Sequence, residues 1–146
     1  MATYVDHLTA DETGATTATL ANTSLSFAVT NGVYYAFRFY VLWRSTVLTV
    51  GIKLGLTTPT FTVFGANVRI LTSAEGAAAE LQGSITASGG SVLGTTALAI
   101  NTDYMAVIEG VILPSADGTL MVQYAAETTG ATVTMRQGSG GELVEV

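Results

Sequence analysis

The chain holds one histidine, His7, and no cysteine, which narrows the nucleophilic and metal-ligating chemistry open to it. His7 stands beside Asp6 in a polar N-terminal stretch, so a histidine-based triad would have to be built on that stretch. It reads as a surface histidine. Paired carboxylates are the other route to catalysis, as acid and base. Asp11-Glu12, Glu75 with Glu80, and Glu142 with Glu145 all fall in segments that read as arm, loop or tail, where solvated charge is the ordinary role.

Glu109 and Glu127 differ, because each interrupts an otherwise apolar strand face. Glu109 shares its face with Met105, Val107, Val111 and Leu113. A lone carboxylate there is costly without a cation, and Arg38 or Arg136 on a neighbouring strand is the expected partner. The pair reads as structural, at a subunit interface, because no second catalytic group is in view. Asp117-Gly118 lacks the spaced acidic residues of a calcium loop and reads as a turn. Asn22-Thr23-Ser24 fits the glycosylation acceptor pattern, but with no signal peptide in view it reads as chance. There is no P-loop and no Gly-x-Gly-x-x-Gly. The sequence thus names no catalytic residue, no cofactor-binding residue and no metal ligand, and predicts a protein that is not an enzyme and uses no cofactor.

The elements that position these residues are strands. From Val33 to Arg44 the odd positions Val33, Tyr35, Phe37, Phe39, Val41 and Trp43 are wholly apolar, while the even positions, Tyr34 and Arg38 among them, are mixed: a period-two pattern. Ser24 to Thr30 alternates in the same way. Asn31-Gly32 between the two runs predicts a tight antiparallel hairpin. Val47 to Leu56 and Thr60 to Leu71 read as two more strands parted by Thr57-Thr58-Pro59. Glu75 to Gly94 reads as loop with one strand near Leu81 to Ala87; Ala77 to Leu81 has the propensity for a short helix, which Gly83, Gly89 and Gly90 limit. Strands at Asp103 to Leu113, Thr119 to Ala126 and Ala131 to Gln137 meet at the turns Pro114 to Gly118 and Thr129-Gly130. Gly138 to Gly141 reads as a flexible joint before a last strand at Leu143 to Val146.

Eight to ten short strands at this spacing predict an all-β fold, an antiparallel β-sandwich with the jelly roll as the best single form. Residues 1–17 are expected as an extended N-terminal arm and residues 18–146 as one sandwich domain. A chain of 146 residues suits a single domain, which at this size hides about 70% of the surface of the unfolded chain.

Hydrophobic residues make up 49% and charged residues only 11%, against roughly 25% charged in ordinary soluble domains. So small a charge leaves two ways to finish the surface: Thr, Ser, Asn and Gly, or cover by other subunits. The mixed face carrying Tyr34, Arg38, Tyr40 and Leu42 is too apolar for full exposure and too polar for a core, and with Glu109 it forms the expected subunit interface. The formal charge is −6, and the five basic residues Arg38, Arg44, Lys53, Arg69 and Arg136 are scattered, which argues against nucleic acid or a membrane as partner. The N-terminus shows neither a basic nor an apolar leader segment, and synthesis in the cytoplasm is expected.

Four phrases, GVYYAFRFYVLW, VGIKLGLTTPT, NTDYMAVIEGVILPSADGTLMVQYAAET and GATVTMRQGS, occur in that order. Together, over residues 18–146, they resemble small structural domains of tailed-bacteriophage virions, found in capsid decoration proteins and at the ends of tail-fibre or baseplate proteins. The resemblance implies a jelly-roll-like homotrimer on the virus exterior with no catalytic residues. Fibre-type relatives follow a long attachment region and shaft, whereas only about 17 residues precede the domain here, so a decoration, or cement, protein bound to the major capsid protein at the head surface is favoured. A small tail protein is the alternative. A carbohydrate-binding module comes third, and would draw on Tyr34, Tyr40 and Trp43, although Trp43 is expected in the core.

Overall fold

The computed structural model describes residues 1–71, 80–94, 96–97 and 99–146. Among the described residues there are eleven strands and no helix: β1 (Thr3–His7), β2 (Ala21–Val29), β3 (Tyr35–Ser45), β4 (Ile52–Thr57), β5 (Phe61–Leu71), β6 (Glu80–Ile85), β7 (Ser91–Leu93), β8 (Tyr104–Pro114), β9 (Gly118–Ala126), β10 (Val133–Met135) and β11 (Gly140–Glu145). The larger sheet has seven strands in the order β1-β11-β3-β8-β5-β6, with β10 also paired to β3; the smaller has four, β2-β9-β4-β7. All pairings are antiparallel. The two sheets pack together as a β-sandwich.

The eight strands β2 to β9 are nested. β5 pairs β6, β4 pairs β7, β3 pairs β8 and β2 pairs β9. Alternation explains why these segments form strands and which way each faces. Phe37, Phe39, Val41 and Trp43 of β3 point inward with Ile108 and Ile112 of β8, and meet Leu25, Phe27, Leu54, Leu56, Leu120 and Val122 of the smaller sheet. Phe27 stacks on Phe39 across the gap, with ring centroids 5.5 Å apart.

Two expectations are corrected here. Ser24–Thr30 and the β3 run do not form a hairpin: β2 lies in the smaller sheet against β9, and β3 in the larger. Gly32 does take a positive φ of 78°, but its N–H bonds to Pro114 O at 2.9 Å and the Asn31 N–H bonds to Asp117 Oδ1 at 2.8 Å. The turn is thereby held by the β8–β9 connection and carries the chain across to the opposite sheet. The stretch Gly138 to Gly141 is likewise no loose joint. Ser139 is buried, and Gly141 comes so close to β3 that a Cβ there would sit 2.5 Å from Phe39 Cδ1. The strand count exceeds eight to ten because β1 and the three-residue β7 add to those expected. Glu75 and residues 77–79 of the helical turn expected at Ala77 to Leu81 lie outside the described residues, and its remaining residues, Glu80 and Leu81, belong to β6.

The N-terminal stretch is extended and fastened along the side of the sandwich. β1 pairs β11 from Thr3↔Val144 to His7↔Gly140. Leu8 is buried, donating to Ser139 O at 2.8 Å and accepting from Gly138 at 2.9 Å. Ala15 then exchanges backbone hydrogen bonds with Val133 at 2.8 and 2.9 Å. Side chains add to this: Asp11 accepts from Arg136 and from the Gln137 N–H, Glu12 from the Ser24 N–H, and the Tyr124 hydroxyl donates to the Thr13 carbonyl. The stretch therefore spans from the larger sheet to the smaller.

Candidate functional site

The outer face of the larger sheet is built from even residues of β3 and β11 and odd residues of β5 and β8. Register fixes it in rows. Glu142, Arg38, Glu109 and Asn67 lie side by side across β11, β3, β8 and β5; the next row is Val144, Ala36, Val111 and Gly65, and on the other side comes Gly140, Tyr40, Val107 and Arg69. Of the five residues expected at an interface, Arg38, Tyr40, Leu42 and Glu109 come together on this face. Tyr34 lies just before β3, half exposed, with its carbonyl accepting from the Val146 N–H at 3.0 Å.

Glu109 sits between two guanidinium groups. Its Oε2 accepts from Arg38 Nη2 at 2.9 Å and Nε at 3.1 Å, while its Oε1 is 3.7 Å from Arg69 Nη2. Of the two partners anticipated for Glu109, it is Arg38 that pairs with it; Arg136 faces Asp11 and Asp103. A bond from Arg38 to the Tyr40 hydroxyl, at 3.4 Å, joins Glu109 in raising the guanidinium's already high pKa.

The apolar residues around this pair are open. Met105 is 51% exposed, Val111 44% and Tyr40 38%. Glu109 shares this open face with Met105, Val107, Val111 and Leu113, and the reason the face is open lies in β8 itself. Both of its faces are apolar, Ala106, Ile108 and Ile112 on one and Met105, Val107, Val111 and Leu113 on the other, and only the first is covered by the smaller sheet. Beside Glu109 the small residues Ala36 and Gly110 floor a shallow depression of about 370 Å³ walled by Val111, Val144, Arg38 and Glu142. At Gly65 an added Cβ would meet nothing within 4 Å.

The smaller sheet turns a different outer face. Ser26, Thr119 and Gln123 lie there with Met121 and with Leu93, which is 46% exposed, and the chain covers part of it: Lys53 Nζ donates to Ala18 O at 3.1 Å, and Leu20 lies over Gly55.

The remaining candidates separate. His7 is an exposed residue of β1 whose N–H bonds to Asp6 at 2.9 Å. Glu127 lies past the end of β9, where it accepts from the Gly51 N–H at 3.2 Å and so interrupts no apolar face. Glu145 accepts from the Tyr4 hydroxyl at 3.0 Å, which pushes the Tyr4 pKa up. Trp43 is fully buried. A chain of alternating charges, Arg44–Asp103–Arg136–Asp11, escaped the sequence reading because its members are remote in sequence and meet only through register. Arg44, whose Nε is 2.6 Å from Asp103 Oδ1, holds that carboxyl below the ordinary aspartate range. Among the described residues, no three of His, Asp and Glu converge to hold a metal ion. No protein family, curated protein or solved structure matches the chain.

Proposed function

We propose that the chain is a structural protein of a tailed-bacteriophage virion: a capsid decoration, or cement, protein, made in the host cytoplasm, that forms a homotrimer, binds the major capsid protein on the outer surface of the head and stabilises it. The observation that carries the reading is β8, apolar on both faces with one left open. An isolated sandwich gains nothing from that second face, whereas a subunit uses it. The nested pairing from β5–β6 out to β2–β9 supports a jelly-roll description of the domain.

No enzymatic role, cofactor, nucleic acid or membrane enters the proposal. The four arginines each face a carboxylate and Lys53 bonds a backbone carbonyl, which leaves no cluster of cations for phosphates. The alternatives are a small tail or baseplate protein and, more remotely, a carbohydrate-binding module using Tyr34 and Tyr40, the exposed aromatics among those weighed for it.

Purified protein mixed with expanded phage heads that lack it should bind them and raise their resistance to heat or chelators. Light scattering of the free protein should give about 45 kDa, three times 15.0 kDa. Co-purification with detached tails, with bare heads ignored, would move the assignment to the tail.

A further inference from the structure

We infer that the outer face of the larger sheet is a self-complementary interface, closed by the same face of a second copy across a two-fold axis that runs parallel to the strands between β3 and β8. Such an axis lays β3 of one copy over β8 of the other and β11 over β5, with each row opposite itself. Three independent features of the rows then match.

The first is charge. In the central row Arg38 of one copy falls over Glu109 of the second, and Glu109 over Arg38, so the pair already formed within each chain at 2.9 Å becomes a closed quartet of alternating sign. The second is shape. In the next row Val144 falls over Gly65, where there is open space, and Val111 over Ala36; large meets small at both positions, and the depression beside Glu109 is filled. The third is net charge. Three of the five basic residues, Arg38, Arg44 and Arg69, lie on this face beside Glu109, Glu142 and Asp103. In a chain of formal charge −6, two copies repel one another least here.

The area is adequate. Three eleven-residue strands of roughly 35 Å and the six-residue β11 of roughly 20 Å, at ~4.8 Å spacing, give on the order of 600 Å² per copy, at the lower end of the roughly 600–1,000 Å² a side of standard stable interfaces. Sheets stacked this way sit ~10 Å apart with their strands near-aligned.

A face that meets itself is used up by two copies and cannot close a ring of three. The inference therefore goes beyond the proposed trimer: if that trimer forms, it closes elsewhere, and this face joins one trimer to the next.

Sedimentation equilibrium of the full chain and its variants tests it. The wild type should double its mass as concentration rises, from about 15 to 30 kDa or, where the trimer forms, from about 45 to 90 kDa. Arg38→Glu alone and Glu109→Arg alone should each weaken it at least tenfold, and an equimolar mixture of the two should restore it, because only the mixed pair sets opposite signs across the axis. Gly65→Val, placed in open space, should fold as the wild type does by circular dichroism and thermal melting yet fail to pair. The inference falls if the wild type is monomeric at high concentration, if the folded single variants associate like the wild type, or if the mixture recovers nothing. A 45 kDa trimer that is indifferent to all three substitutions would sink the inference and leave the virion assignment standing.

Discussion

The Ser139 hydroxyl accepts the Leu42 N–H at 2.8 Å and lies 3.2 Å from the Leu42 carbonyl, to which it donates in turn. β11 pairs β3 as far as Tyr40 and β10 takes over at Trp43, so Leu42 falls in the gap between two strands that share one edge. The Leu42 carbonyl also accepts the Arg136 N–H at 2.8 Å, so it is the Leu42 N–H that lacks a backbone partner, and the Ser139 hydroxyl stands in for it. Ser139→Ala should cost about 1–3 kcal/mol, the range for an orphaned buried N–H, read as a lower urea midpoint at unchanged slope. A loss below about 0.5 kcal/mol would mean that water takes over the hydroxyl's place.

Tyr124 ties the smaller sheet to the N-terminal stretch through Thr13. Burial, with a smaller contribution from nearby Glu12, pushes its pKa up to about 12. Between the ordinary value of 10.0 and that value the unfolded chain has lost this proton and the folded chain keeps it, so stability falls as pH rises through the window. Melting temperatures at pH 9, 10 and 11 should decline more steeply for the wild type than for Tyr124→Phe. Parallel declines would show that Tyr124 titrates normally.

Asp103 gives the opposite slope. Hydrogen bonding to Arg44, chiefly, holds its pKa below 3.8, so the unfolded chain takes up this proton first on acidification. The stabilisation is fully present above the unfolded value and is lost as pH falls through the folded one. Asp103→Asn should therefore destabilise at pH 7 and lose part of the wild type's acid sensitivity below pH 4. An unchanged acid limb in a denaturant titration would exclude this carboxylate as a contributor.

The N-terminal stretch is expected to behave as part of the domain. Leu8→Ala should cost about 2–3 kcal/mol, in the lower range for a buried leucine, and removal of residues 1–12 should lower the melting temperature at least as far. A truncated chain that melts like the full one would restore the picture of an independent arm.

How much of this was legible depends on whether a segment's neighbours are local. β3 declared itself because one of its faces is wholly apolar, and Trp43 fell inside as its parity required. β8 could not be oriented, since alternation fails when both faces are apolar. β1 was missed for the converse reason: its side chains are nearly all exposed, so it carries no hydrophobic period, and its pairing is specified by β11. Asn31-Gly32 supplied the turn but not its destination, which Pro114 and Asp117 decide. The Arg38–Glu109 pair was accessible as one of two options because choosing between Arg38 and Arg136 requires strand register.

The pairing of β1 with β11 also sets an order in time. Residues 3–7 wait for residues 140–144, which are made more than 130 residues later. During synthesis the first strand must stay unpaired while the nested strands close from β5–β6 outward, each closure shortening the loop left for the next. The outermost pairing is the last that can close, and a chain cut short of residue 140 leaves an open strand edge for quality-control proteases.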